Sequence, residues 1–215
     1  MTQILFTFLV LFPVLFPLLA AAQDSAGPLT QAERRQGFRP LFDGQTLNGW
    51  DGAPGLWTVQ DGVLVGSTHG HKLGHNSFLI SKEEFSDFIL RIDVKLENHN
   101  SGIQFRSKAL PEWVVSGYQA DAAEGAWWGS LYGEKTGRGI IAPGYRGKGE
   151  KVVRPGGWNH YEIICKGKRI TLTLNNLVTV DIDDAMAASG ILALQLHAGP
   201  PMRVSFRNIR IRELK

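Results

Sequence analysis

Apolar and polar residues alternate two by two through most of the chain. Phe88, Leu90, Ile92, Val94 and Leu96 alternate with Ile89, Arg91, Asp93 and Lys95. That period predicts a strand with one face in a core and the other toward solvent. The same period recurs at Tyr161–Ile163–Cys165, Ile170–Leu172–Leu174, Val178–Val180–Ile182, Leu192–Leu194–Leu196 and Val204–Phe206. The last run loses phase at Arg207–Asn208 before Ile209 and Ile211 resume it, which predicts a bulge. Asp61–Gly62, Lys166–Gly167–Lys168 and Asn175–Asn176 supply turn chemistry between runs. Only Asp183 to Ser189 reads as helical. Many short strands joined by tight turns predict an all-β fold, a two-sheet antiparallel β-sandwich or jelly roll.

Several of these strands carry polar residues on one face. Gln104 and Arg106 fall on one side of their segment, as do Gln119 with Asp121 and Gln195 with His197. A polar sheet face of this kind, rimmed by aromatics, is a suitable floor for a sugar-binding cleft. Residues 124–149 follow neither period; they are rich in glycine and carry Trp127, Trp128, Tyr132 and Tyr145. The segment is expected to be one long functional loop.

The rest of the chain sets the context. Of 215 residues, the run from Ile4 to Leu19 is almost wholly apolar and ends in Ala20, Ala21 and Ala22. It is expected to be a signal peptide over residues 1–22, cleaved after Ala22. A membrane anchor is the competing reading, and the run is near the lower length for a span. Residues 23–36 form a polar leader or short helix, and the domain is expected over 37–215. Export implies a periplasmic or extracellular location, with no stable membrane insertion after cleavage. The single cysteine, Cys165, forbids an internal disulfide and reads as a small core residue. The net charge of +3 comes from basic residues scattered among acids, which argues against a nucleic-acid partner. Oligomeric state is left open.

Longer strings carry a resemblance. FRPLFDGQTLNGW, WTVQDGVLVG, FSDFILRIDVKLENHNSGIQFRS, GYQAD, GGWNHYEIICKGKRITLTLNNLVTVD and SGILALQLHAGPPMRVSFRNIRIREL occur in this order. Together they resemble the 3-keto-disaccharide hydrolase domain family from about Gly37 to Leu214. The resemblance implies two curved sheets of the concanavalin A type. It also implies an exported bacterial protein cleaving glycosides already oxidised at C3, by hydrolysis or elimination. Many members carry glutamate after the Gly–Tyr pair and glutamine two positions later. Here those positions are Gln119 and Asp121, so the acid has moved by two residues along the same strand face.

A C3 ketone acidifies the hydrogen at C2. Its removal gives an enolate that expels the glycosidic group, which needs a base and a donor or cation at the C3 oxygen. Asp121 and His197 are expected as base and as metal or oxyanion partner, and Arg106 as a holder of sugar oxygen or enolate. Gln104, Gln119, Gln195, Trp128, Tyr132 and Glu162 are expected to bind the sugar. Asn100 and Ser101 shape a turn, and Trp50, Trp57 and Trp158 read as core. A divalent cation is a possible cofactor, although His69, His71 and His75 make only a weak ligand pattern. The partner is a small saccharide. A non-catalytic carbohydrate-binding module is the competing class. An ordinary glycosidase is disfavoured because no strand carries a clear carboxylate pair.

Overall fold

The computed structural model describes residues 29–144, 147 and 149–215; the expected signal peptide and residues 23–28 of the leader lie outside them. No helix among the described residues is long and apolar enough to cross a membrane. Helix α1 (Gln31–Arg35) comes first, followed by β1 (Arg39–Pro40), β2 (Trp50–Asp51), β3 (Trp57–Gln60), β4 (Val63–Ser67), β5 (Ser77–Phe85) and β6 (Phe88–Leu96). Then come β7 (Asn100–Leu110), β8 (Val114–Ala123), β9 (Leu131–Glu134), β10 (Gly139–Ala142), helix α2 (Gly149–Val152) and β11 (Asn159–Lys166). The chain closes with β12 (Arg169–Leu174), β13 (Leu177–Asp183), β14 (Gly190–Leu196) and β15 (Arg203–Glu213).

These strands form two antiparallel sheets. One runs β13-β12-β11-β6-β15-β4-β3, with β1 added beside β15; the other runs β10-β9-β8-β7-β14-β5-β2. The alternation in β6 does what its period requires. Phe88, Leu90, Ile92 and Val94 have no more than 1% exposure, whereas Ile89, Arg91, Asp93 and Lys95 are half-buried on the other face. The opposing sheet contributes Ile103, Phe105, Tyr118, Ala120, Leu192, Leu194 and Leu196 to the same core. Cys165 lies fully buried among them, and burial pushes its thiol up to about 12.

The tight turns also form as their residues demand. Asp61 and Gly62 take φ of 49° and 78°, and Asn175 and Asn176 take 46° and 69°, the left-handed values that such residues tolerate at least cost. The β15 bulge occurs where the phase breaks: pairing with β6 skips from Arg207 to Arg210, with Asn208 at φ 54°.

Three expectations about local structure need correction here. Asp183–Ser189 is not helical; after Asp183 ends β13 it runs irregularly. There the Asp184 carboxylate accepts from the Tyr118 hydroxyl and the Arg138 guanidinium, and the Met186 N–H donates to the Tyr118 oxygen. Such bonds compete with a helix for the same backbone groups. The glycine-rich segment is not one loop, because β9 and β10 pair within it and α2 closes it. Ahead of Gly37, α1 is the short helix, one of the two readings of residues 23–36. Thr30 and Glu33 form a reciprocal cap, and buried Glu33 bonds Arg210 of β15.

Arg106 is the third correction. Pairing of β7 with β8 skips between Phe105 and Lys108, and Arg106 sits there at φ 45°. This bulge rotates Arg106 off the face of Gln104 and buries it to 1% exposure. Its guanidinium donates to the carbonyls of Ser86 and Gly167 and to Asp87 Oδ1, each at 2.7 Å. It is a tie between the β5–β6 and β11–β12 turns, not a sugar ligand. Arg106→Ala leaves the Ser86 and Gly167 carbonyls without their donor, at about 1–3 kcal/mol each where they stay dry, and opens a cavity in place of the side chain; Asp87, a third exposed, can turn to water. Arg106→Ala is therefore expected to lower the unfolding midpoint by about 10 °C in a thermal melt; a melt within a degree or two of wild type would contradict this role.

Candidate active site

The outer face of the seven-stranded sheet is built from the residues that alternate with its core side chains. Register places Ile80 beside Ala193, Ala193 beside Gln104, Gln104 beside Gln119, and Gln119 beside Tyr132, one row across five strands. At the next level Phe78 pairs with Gln195, and Gly102 pairs with Asp121. Gln195 and Asp121 follow the residues that flank Ile103 from either side, so they stand at one height on β14 and β8. Two strand spacings, about 10 Å, separate their backbones.

An outer face normally meets water, yet Phe78, Gln104 and Gln195 have 0% exposure and Asp121 only 4%. Hairpins fold over this face from two sides. At the β7–β8 tip, the Trp113 carbonyl accepts the Phe78 N–H at 2.9 Å, and Trp113 packs against the buried cluster of Phe78, Ile80, Val115, Ile191 and Ala193. From the β9 side, Glu134 accepts the Asn76 amide at 3.3 Å. Beside that contact a hollow of about 550 Å³ is lined by His75, Asn76, Tyr132, Glu134 and Ala198. A second hollow of about 630 Å³ lies between α1 and the β15 bulge, but its one carboxylate, Asp43, is bonded within its own turn.

Beneath the hairpins runs a directed chain of hydrogen bonds. Ser107 Oγ donates to Gln104 Oε1, Gln104 Nε2 to Gln119 Oε1, and Gln119 Nε2 to Asp121 Oδ1, each at 2.7 Å. Every amide thus turns its donor end toward Asp121. Glycine makes room for the chain. A Cβ on Gly102 would lie 2.4 Å from the Gln119 amide carbon, and one on Gly117 would lie 2.3 Å from Ser107 Oγ.

Asp121 is the unusual acid. Burial is the main cause that raises its carboxyl to about 7; the Gln119 bond opposes the shift and the Glu134 charge adds to it. Glu134 is itself raised, first by burial, with the Asn76 bond working against it. The Asp121 backbone is pinned from the core side, where the Tyr161 hydroxyl donates to its carbonyl and accepts the Gly129 N–H. Gln195 is held at its backbone, whose carbonyl accepts Ser101 Oγ at 2.8 Å. Both ends of its side-chain amide are buried without a protein partner. A buried unpaired amide is costly, so it marks a place for water or ligand.

The structure therefore brings together Gln104, Gln119, Asp121, Gln195 and half-buried Tyr132. His197 stands apart in its interactions. Its Nδ1 bonds the Ala198 carbonyl at 2.6 Å, and its ring meets His99 edge-on at 5.0 Å. Burial is the main cause that lowers its pKa; the bond to the Ala198 carbonyl opposes the shift and the His99 charge adds to it.

Glu162 lies on the outside of the other sheet, bonded to Arg91 at 2.7 Å; its period identified a polar face but not which sheet carried it. Trp128 is a core side chain at 5% exposure, stacked on Tyr161 at 6.4 Å because α2 and β9 close over it. Trp50 and Trp57 are core as expected, but Trp158 is half-buried beneath the Arg207 guanidinium. His69 and His71 are exposed, while His75 meets Glu112 at 3.2 Å. Asn100 starts β7 and Ser101 lies within it rather than in a turn. Among the described residues no three His, Cys, Asp or Glu side chains gather to hold a metal ion, so no ligand set is assigned to a divalent cation.

Glu134 is the residue the sequence reading missed. Its signal was the same even spacing, Tyr132 then Glu134, inside a segment read as irregular.

The two-sheet antiparallel sandwich is a fold shared with galectin-like and glycosyl hydrolase structures. The chain belongs to the 3-keto-alpha-glucoside-1,2-lyase-like domain family, whose model matches residues 37–212. A 3-keto-disaccharide hydrolase of Bacteroides thetaiotaomicron is 36% identical over 102 residues, 43% of this chain and 34% of that protein. The match thus spans about a third of the relative's length. Among solved structures, a candidate glycosyl hydrolase from Parabacteroides distasonis superposes with a TM-score of 0.65 at 20% identity, covering 87% of this chain and 99% of that one. The carbohydrate-binding module CBM66 from Bacillus subtilis gives 0.59 at 19% identity, covering 75% and 94%. Both share the fold.

Two measurements probe the acid. Carboxyl NMR should give an Asp121 midpoint near 7. Glu134→Gln removes a neighbouring negative charge, so ionising Asp121 becomes easier and the midpoint falls; an unmoved midpoint would refute the coupling. Because the folded value lies above the unfolded one, the native state holds the extra proton between about pH 4 and pH 7, and stability declines as pH rises through that window. Asp121→Asn is accordingly expected to unfold at higher urea than wild type at pH 8, and equal or lower stability there would speak against a strained buried acid.

Proposed function

We propose that this chain is an enzyme that cleaves 3-keto-glycosides by elimination across C1 and C2, with Asp121 as the proton-transfer group. The observation that carries the reading is a buried carboxyl, raised to about 7, at the end of an oriented amide chain and coupled to Glu134, which lines the adjoining hollow. A base with a pKa near the working pH combines useful basicity with a useful ionised fraction.

The chemistry follows from the ketone. The Asp121 carboxylate takes the C2 proton, and the C2–H electron pair moves onto the C3 oxygen as an enolate. The Gln195 Nε2 donor, buried and unpaired, is the group available to that oxygen. The pair then returns to form the C1=C2 bond as the C1–O bond breaks. Asp121 gives its proton to the departing oxygen and is again a carboxylate. The products are an alcohol and a 1,2-unsaturated 3-keto sugar; addition of water across C1=C2 would complete a net hydrolysis. Glu134 keeps Asp121 basic through its charge, and the Ser107–Gln104–Gln119 chain fixes where the carboxylate points. Export with cleavage after Ala22 belongs to the same reading, since it would place the protein where free saccharides are met.

The test is direct. The mature protein, incubated with 3-keto-trehalose and with trehalose, is expected to release 3-keto-glucose or its unsaturated form from the first alone. Asp121→Asn should lower kcat by about 10²- to 10⁴-fold, and Gln195→Leu by about 10²-fold, with both variants folded by circular dichroism. Saccharide binding without turnover in wild type would instead make this a carbohydrate-binding module. Full activity in Asp121→Asn would remove the site.

A further inference from the structure

His99 and His197 meet where the β6–β7 turn reaches the end of β14. Asn98 fixes that junction: its amide donates to the Pro201 carbonyl at 2.7 Å, and its side-chain oxygen accepts the Arg203 N–H at 3.1 Å. Carrying the β7–β14 register three residues past Leu194 and Ile103 brings His197 beside Asn100, one row beyond Gln195 on the same face. The junction does not gather three histidines or acids. It gathers two imidazoles and two amides, and their lone pairs are left over. His99 Nε2, Asn100 Oδ1 and Gln195 Oε1 are each buried without a hydrogen-bond partner. His197 Nε2 bonds no described residue, while its Nδ1 is held by the Ala198 carbonyl at 2.6 Å. A carbonyl can only accept, so the ring proton sits on Nδ1 and Nε2 keeps its lone pair. A backbone carbonyl on the far ring nitrogen is how metal-bound histidines are oriented.

Backbone and spacing fit the same reading. His99 takes φ of 72°, a left-handed conformation that costs a histidine energy and that its place in the turn must repay. A Cβ on Gly199 would lie 3.0 Å from His99 Nε2, so this exposed glycine, at φ 134°, keeps the approach to that nitrogen open. The two ring centroids are 5.0 Å apart. Imidazoles bound to one ion through bonds of about 2.1 Å, at near-tetrahedral angles, hold their centroids about 5 Å apart. A bridging water can donate to only half of these lone pairs, whereas a cation accepts from all of them.

We infer that His99, Asn100, Gln195 and His197 form a binding site for one divalent transition-metal ion of the zinc or cobalt class, through two imidazole nitrogens and two amide oxygens. Paired imidazoles select such ions over magnesium and calcium, which take carboxylates, carbonyls and water. The site goes beyond the cleavage reaction proposed above and does not depend on it. It clamps the β6–β7 turn to the end of β14. It also adjoins the row of Asp121 through Gln195, whose Oε1 turns to the ion while Nε2 remains a donor.

Two measurements on the full mature chain, stripped with chelator and dialysed, decide the matter. In the first, Co2+ is titrated and followed by visible absorption. One equivalent is expected to bind with the intense bands of a four-coordinate site, and Zn2+ should displace it. His99→Ala and His197→Ala, folded by circular dichroism, should each weaken binding at least about tenfold. His160→Ala, on a strand of the other sheet, should leave it unchanged. In the second, imidazole NMR of wild type follows Zn2+, which should shift the ring signals of His99 and His197 and leave that of His160 in place. Absence of binding to wild type at about 1 mM Co2+ overturns the site. So does binding that survives both histidine substitutions, or a Zn2+ shift confined to other rings. Metal held by a wild type that cleaves no keto-glycoside removes the reaction and keeps the site; cleavage by a chain that binds no metal does the reverse.

Discussion

One buried guanidinium organises the sheet that carries the site. Arg106 cannot lie in a dry interior without partners, and the Ser86 and Gly167 carbonyls together with Asp87 satisfy it at the open end of the sandwich. Reaching them requires the β7 bulge, and the bulge has two further effects. It turns Ser107 onto the face of Gln104, where its hydroxyl starts the amide chain toward Asp121. It also bends the far half of the β7–β8 hairpin over that face, so that Trp113 roofs what would otherwise be solvent-exposed sheet. A charge with no chemical role thereby sets the direction and the dryness of the groups that have one.

Dryness is what makes an ordinary aspartate useful. Asp121 accepts a strong bond from Gln119, which alone would keep its carboxyl acidic, yet burial outweighs it. Glu134, raised by the same means, adds a second negative neighbour. Two acids close together in a roofed cleft resist simultaneous ionisation, so a proton stays in the cleft near neutrality. The cost falls on stability, as is common where a folded chain holds a group in the state it least prefers.

Much of this was legible in the chain. Strict alternation identified the strands, because a sheet with one dry face leaves its period in the letters. Asp61–Gly62 and Asn175–Asn176 identified turns for the equally local reason that few residues accept left-handed backbone. Gln104, Gln119, Asp121 and Gln195 do share a face. The failures have physical causes too. A bulge of one residue leaves the spacing of Gln104 and Arg106 untouched while reversing their sides. Alternation in Tyr161–Glu162–Ile163 shows that Glu162 faces away from the core, but not which sheet it belongs to. Trp128 and Trp113 are alike as letters; only tertiary closure makes one a core residue and the other a lid. Glu134 sits in a strand too short, and too rich in glycine, for its period to stand out.

The order of strands has a consequence for how this face comes into being. β5 and β7 are near neighbours along the chain, yet β14 lies between them in the sheet. Closing that gap awaits a segment synthesised much later, and strand insertion of this kind is slow because a long intervening loop must first be ordered. Until Gly190–Leu196 threads into place, β5 and β7 have no strand in common and Gln195 is absent from the face that carries Asp121. The groove is therefore a late product of folding.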